Sequence, residues 1–253
     1  LGITTKLAVG DSAYVGSNDG RATNIVIGSS LLNGALIPPG GEFSFNRAIG
    51  VIDKEKGYVD AAVIVGERIG RDLGGGICQV STTVYRAALF AGVPITEWWP
   101  HTYRLSFYEL DGWLPGYDAS ILQPEGDPFG GGDFKFKNPT DSWMLVESYT
   151  ENERVYVIIY GPDTGYTVEL SEPRISDPIP PPDQDIEVVD LKLPAGTVQQ
   201  TEQAQEGLQV VFDRIVTKDG EVVLQDTWDT LYASRPDVWQ VSPDMEGKSP
   251  AGS

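Results

Sequence analysis

Apolar and polar positions along the chain change period several times, and each change marks an element. Residues 1 to 18 alternate loosely, with Ile3, Leu7, Val9, Tyr14 and Val15 among Gly, Thr and Ser, and predict an extended segment ending in a turn at Asn18-Asp19-Gly20. From Arg21 the spacing becomes helical through Ala22, Ile25, Val26, Ser29 and Leu32, with Asp19 as N-cap and Asn33-Gly34 as the stop. Pro38-Pro39-Gly40-Gly41 then forces a loop before the run Phe43-Ser44-Phe45-Asn46. Tyr58 to Val65 is short and β-branched enough to predict a strand. After Gly74-Gly75-Gly76 a second helix carries Val80, Val84, Ala87, Ala88 and Ala91 on one stripe and Gln79, Thr82, Thr83 and Arg86 on another, and Gly92-Val93-Pro94 ends it.

The remainder predicts strands. Thr102 to Leu110, Tyr117 to Leu122 and Phe134 to Lys137 follow the helix, and Met144 to Tyr149 with Val155 to Tyr160 reads as an antiparallel pair around the turn Thr150-Glu151-Asn152-Glu153. The fold class is therefore α+β, with one or two helices packed on an antiparallel sheet over residues 1–172. Pro173, Pro178, Pro180, Pro181 and Pro182 mark residues 173–185 as a stiff, extended linker. Beyond it, Ile186 to Asp190, Gly196 to Thr201, Leu208 to Thr217 and Glu221 to Trp228 predict a small all-β domain over 186–242, with Lys218-Asp219-Gly220 as a hairpin turn. Residues 243–253 read as a disordered tail.

Composition narrows the chemistry. The 253 residues carry 18 basic and 37 acidic side chains, a formal charge of −19. Such a balance argues against nucleic acid and anionic membrane surfaces as partners and favours cations, neutral glycans or peptides. No apolar run is long enough to span a bilayer, and the chain opens at Leu1 without a charged leader, so it reads as processed or truncated, with any anchor upstream. A single cysteine excludes an internal disulfide, and one Cys with one His makes a structural zinc site improbable. Gly130-Gly131-Gly132-Asp133 lacks the ligand spacing of a calcium loop, so no metal and no cofactor is expected.

The cysteine itself is placed for chemistry. Cys78 follows three glycines and opens a helix, where free N–H groups and the helix dipole favour the thiolate. The sole histidine, His101, follows Trp98-Trp99-Pro100, and Asp118 begins the next candidate strand; adjacent strands would set Asp118 beside His101 to orient it. In that reading Cys78 attacks an acyl carbon, His101 moves the proton and Asp118 fixes the tautomer. The Cys78 N–H, with the Gln79 side chain and the backbone of Gly75 and Gly76, would hold the oxyanion. Trp99, Tyr103 and Tyr117, with Trp98 and Trp113, would line a cleft for a sugar ring or peptide stem, although aromatics more often build core. The plainer reading is a packed thiol, because free cysteines are among the most buried residues.

The chain order Cys, His, Asp resembles the core of transglutaminase-like and papain-like cysteine enzymes. Longer stretches carry a second resemblance: Arg21-Ala22-Thr23-Asn24-Ile25, Pro39 to Asn46, Gly57-Tyr58, Gly74 to Tyr85, Gly116-Tyr117-Asp118-Ala119 and Phe134 to Asn138 are similar to the VanW family of bacterial cell-envelope proteins. One position departs, with Thr102 where that family commonly carries Ser. This resemblance implies an extracellular, mostly Gram-positive-type envelope setting and an association with vancomycin-resistance gene clusters, without a settled activity. Leu193-Pro194-Ala195-Gly196, Glu206-Gly207 and Lys218-Asp219-Gly220 resemble the G-five domain, a β module of surface proteins that act on or adhere to cell walls, which implies a wall-binding unit or a spacer. Two functions of different class stay open. One is a cysteine acyltransferase or amidase acting through a thioester on peptidoglycan peptides or a surface protein; the other is a non-catalytic wall-binding or scaffolding protein.

Overall fold

The computed structural model describes residues 1–65 and 68–250, and within them a mixed, sheet-rich protein with few helices. In chain order the elements up to the proline stretch are β1 (Thr5–Ala13), α1 (Asp19–Leu32), β2 (Ala35–Ile37), β3 (Glu42–Ser44), α2 (Phe45–Ile49), β4 (Asp60–Val65), β5 (Arg68–Leu73), α3 (Cys78–Ala91), β6 (Ile95–Glu97), β7 (Lys135–Lys137), β8 (Met144–Glu151), β9 (Arg154–Gly161) and β10 (Tyr166–Leu170). Then come β11 (Arg174–Ile175), β12 (Ile186–Val189), β13 (Val198–Glu202), β14 (Leu208–Lys218), β15 (Glu221–Tyr232) and β16 (Val238–Val241).

The chain forms two compact units, and they are not cut at the prolines. The first comprises residues 1–101, 105–173 and 211–228; the second comprises 102–104, 174–210 and 229–253. In the first, an antiparallel sheet of order β1-β9-β8-β2 packs on α1 and α3, with smaller sheets β3-β7-β6 and β4-β5 beside it. The β8–β9 hairpin turns where expected, with Asn152 and Glu153 both at positive φ, the backbone a tight hairpin requires. For α1 the cap is one residue earlier than the pattern indicates: Asn18, not Asp19, accepts the Arg21 N–H.

The helix α3 is buried on every side except at Cys78 and Phe90. Its polar stripe does not face water. Thr83 bonds Ser12, Ser81 and Thr82 bond the Ala119 backbone, and Arg86 bonds three carbonyls, so burial leaves these groups satisfied. The distal part of the β14–β15 hairpin belongs to this unit: Phe212 stacks on Tyr117 at 4.5 Å, Trp228 packs on Tyr85 and Trp98, and Arg214 pairs with Asp226 while bonding the Ala88 and Leu89 carbonyls near the end of α3.

In the second unit β16 lies between β12, to which it runs parallel, and β13, to which it runs antiparallel. The expected hairpin turn holds, with Asp219 and Gly220 both at positive φ. The proline stretch 173–185 is not a bare linker. Ser176 donates to the Gln209 carbonyl and Ile179 pairs with Gly207 in both directions, leaving the prolines, which have no N–H to offer, at the edge. Nor is the end of the chain free of partners as far as residue 250: Pro243–Met245 form a 3₁₀ turn, and the N–H groups of Gly247 and Ser249 bond the Glu187 carboxylate. Residues 251–253 of the expected tail lie outside the described residues.

Candidate active site around Cys78

Three segments of the first unit converge on the start of α3. The loop before it is tight for reasons that can be read atom by atom. Gly75 is pressed on the Ala61–Ala62 backbone, where a Cβ would stand 2.5 Å from the Ala62 carbonyl oxygen, and its own carbonyl accepts from Asn24 at 2.9 Å. Gly76 has φ +106 and lies against Arg21. Both glycines therefore serve packing and turn geometry, and Gly75 is enclosed rather than open to a substrate. Cys78 is the first residue of α3, half-buried, in a turn without an acidic residue or a side-chain cap.

His101 and Asp118 do meet, but not on neighbouring strands. Residues 102–105 are irregular, Ser106–Gly112 form a 3₁₀ segment, and 117–122 make no strand; of the three segments expected to be extended, only Lys135–Lys137 is one. Side chains do the work a ladder would have done. Trp98 Nε1 donates to the Asp118 carbonyl at 2.8 Å, Ser120 Oγ donates to the Trp99 carbonyl at 3.2 Å, and the Thr82 hydroxyl accepts the Ala119 N–H at 3.1 Å. Asp118 Oδ2 then takes both the His101 N–H at 3.0 Å and Nδ1 at 2.6 Å. With Nδ1 turned to Asp118, the other ring nitrogen is the one left for Cys78, and the two side chains are close enough to shift each other's titration.

The electrostatics follow from this geometry. Burial alone drives both groups toward their neutral forms. At His101, which is 7% exposed, the bonds to Asp118 and Cys78 outweigh burial and hold the pKa well above the ordinary imidazole value. At Cys78 burial is again the largest single influence and pushes the pKa up, but the bond and charge of His101, the Ile121 backbone and the Arg21 charge together bring it below the ordinary thiol value. The pair is thus disposed toward thiolate and imidazolium.

Other expected site residues lie elsewhere. Gln79 is fully buried, its Oε1 accepting from Arg21 at 2.6 Å and its Nε2 donating to the Ala13 carbonyl at 3.1 Å, so its amide is committed to the core and not to an oxyanion. Tyr117 is core, stacked on Phe212 and beside Trp113. Tyr103 belongs to the second unit, buried with the Arg235 guanidinium 5.5 Å over its ring. Trp99 is exposed, its Nε1 donating to Glu97 at 2.9 Å. The aromatic that does meet the histidine is Tyr108, stacked on His101 with centroids 5.0 Å apart. Arg86, also unanticipated, donates to the carbonyls of Asp11, Tyr108 and Tyr117, so one guanidinium joins β1, the segment stacked on His101 and the segment that carries Asp118. Burial lowers its pKa to about 10. Tyr108 shows no local signal; the signal for Arg86 is that it is the one charged residue of α3.

Among the described residues no cluster of three or more His, Cys, Asp or Glu could hold a metal ion. Asp133, after the triple glycine, accepts from the Ser44 hydroxyl and from the N–H groups of Asn46 and Phe134 at the start of α2, whose cap is Ser44. No helix among them is long and apolar enough to cross a membrane.

A profile described as "VanW like protein" matches residues 20–160, which include Cys78, His101 and Asp118. "Uncharacterized protein YoaR" of Bacillus subtilis (strain 168) is 31% identical over 147 residues, 58% of this chain and 45% of that protein. "Vancomycin B-type resistance protein VanW" of Enterococcus faecalis (strain ATCC 700802 / V583) is 26% identical over 137 residues, 54% of this chain and 48% of that protein. The matches thus span about half the length of these curated relatives. Two solved G5 domains overlap the chain weakly: HP0197-G5, at 17% identity over 30% of this chain and 95% of that one, with a TM-score of 0.15, and the IgA1 protease G5 domain, at 19% identity over 32% and 96%, with a TM-score of 0.19. With the profile match running over more than half of its length, the chain belongs to the VanW-like protein family.

Proposed function

We propose that this protein is a cysteine-dependent acyltransferase or amidase acting at the bacterial cell envelope, on peptidoglycan peptides or a surface protein, through a thioester on Cys78. The observation that carries the reading is the arrangement itself: a half-buried cysteine at a helix start, beside a histidine that lowers its pKa and whose Nδ1 is held by Asp118 at 2.6 Å. A packed thiol in a scaffold would be enclosed and without an imidazole partner. The Cys78 thiolate adds to the amide carbon, and the His101 imidazolium gives its proton to the departing amine, leaving a thioester and neutral imidazole. Water or an amine then attacks the thioester, His101 takes its proton, and the thiolate leaves. The Cys78 N–H, at the first helical position where no acceptor lies within the helix, is the donor available to the oxyanion. The envelope setting is supported by family membership and by the vancomycin-resistance relative, and the G-five-like motifs around Gly196, Gly207 and Gly220 fit a wall-facing unit or spacer.

The test is the rate of Cys78 alkylation by iodoacetamide across pH 5 to 9, in the parent and in His101→Ala. Fast labelling below pH 7 that slows in the variant is expected. A profile following an ordinary thiol of pKa about 8.5 overturns the catalytic reading and leaves a binding or scaffolding protein.

A further inference from the structure

We infer that Arg21 makes the Cys78 site selective for substrates carrying a carboxylate close to the bond that is attacked. The inference rests on Cys78 being the nucleophile and adds the class of substrate. Arg21 is in the first turn of α1, its N–H held by Asn18 Oδ1 at 3.0 Å. Its stem crosses the loop before the cysteine: a Cβ on Gly76 would stand 2.7 Å from Arg21 Cγ, so the glycine is what lets the arginine lie there. The guanidinium then donates from Nη1 to Ser17 Oγ at 2.5 Å and from Nη2 to Gln79 Oε1 at 2.6 Å, with its face 4.8 Å from the Phe107 centroid. Gln79 is the residue after Cys78 and is itself fixed by the Ala13 carbonyl.

Every one of those partners is neutral. A guanidinium has five N–H donors, and two bond side chains among the described residues, so charge and donors remain there for another group. The contrast within the first unit is direct, since Arg154 is paired with Asp11 and Asp111, and Arg214 with Asp226. In a chain with 37 acidic side chains against 18 basic, a half-buried arginine without a carboxylate partner among the described residues, fixed beside the nucleophile, is a receptor for an anion brought by another molecule. A peptide with a free carboxylate next to the scissile amide has that chemistry. Arg21 also favours the Cys78 thiolate, but that effect would speed attack on neutral and anionic electrophiles alike.

Two alkylating agents of similar size separate the roles. Second-order rates for iodoacetate and iodoacetamide are measured on the parent, Arg21→Gln and Arg21→Lys, with glutathione as the reference thiol and thermal melting to confirm folding. The parent should show an iodoacetate-to-iodoacetamide ratio above that of glutathione, falling about fivefold in Arg21→Gln and largely kept in Arg21→Lys. The parent's ratio should also fall as salt rises from about 0.01 to about 0.15 M. A ratio unchanged by the Gln substitution, even if both rates drop together, overturns the inference; should that variant not fold, a salt-independent parent ratio overturns it. Slow iodoacetamide labelling of the parent at pH 6 would instead sink the nucleophile reading, so the two failures are distinct.

Discussion

At the scale of single residues the relay depends on charge held out of water. His101 has its pKa raised in the fold, so its contribution to stability is complete below the unfolded value of about 6.5 and is lost as pH rises through the raised folded value. Parent and His101→Ala should therefore differ most in melting temperature at mildly acid pH and converge in alkaline buffer; a gap that widens with pH would contradict this assignment. Asp118→Asn removes the anion that holds the imidazolium, and Cys78 labelling at pH 6 should slow toward that of an ordinary thiol while labelling at pH 9 changes little. Arg86 acts through the backbone it holds. Arg86→Met removes the arginine donor from two buried carbonyls and one part-buried one, at a cost of about 1 to 3 kcal/mol for each buried group, and should lower the urea midpoint sharply. Arg86→Lys, with a single point charge, should recover only part of that loss.

At the scale of elements, α3 is where local pattern and tertiary demand part company. Its alanine stripe and glycine-proline stop are legible in the chain, and the helix runs from Cys78 to Ala91 with Gly92 in the left-handed conformation. Its polar stripe looks solvent-facing by period alone yet is enclosed, because Ser12, the Ala119 backbone and the 3₁₀ segment after residue 105 supply partners from distant sequence. Thr82→Val keeps the shape and removes the acceptor for the Ala119 N–H, so it should cost about 1 to 3 kcal/mol and also slow Cys78 labelling at pH 6, since Ala119 follows Asp118. If stability falls but the labelling profile stays, the segment holding Asp118 is positioned without Thr82. The strands expected at 102–110 and 117–122 failed for a related reason: their aromatic and β-branched residues suit an extended chain, but side-chain bonds from Trp98, Ser120 and Thr82 around 118–120, and from Arg86 at Tyr108, hold the backbone without a ladder.

For the molecule as a whole, the consequence of the fold is that the first unit needs chain from beyond the prolines. Phe212 and Trp228 join Tyr85, Trp98 and Tyr117 in one aromatic cluster, and Arg214 bonds carbonyls near the end of α3. A chain stopped at residue 173 loses all three, and losing Phe212 and Trp228 alone should cost about 3 to 5 kcal/mol each by analogy with large-to-small core changes. It should be insoluble or melt far below the full chain; a stable, cooperatively folded fragment would show the β14–β15 hairpin to be dispensable. The net charge of −19 acts at the same scale, and moderate salt should raise the melting temperature by screening self-repulsion.

Short-range features were determined by the sequence alone: the α1 and α3 helices, the β8–β9 and β14–β15 turns, and Cys78 and His101 as the one cysteine and one histidine to consider, because helical period, turn chemistry and the scarcity of Cys and His are local or countable. Only the tertiary structure decided that Gln79 and Tyr117 belong to the core, that Tyr103 belongs to another unit, that Tyr108, Arg86 and Arg21 surround the relay, and that 211–228 returns to the first unit. The physical reason is common to all of them. Each outcome is set by which distant group satisfies a buried donor, charge or ring face, and that partner has no fixed spacing along the chain.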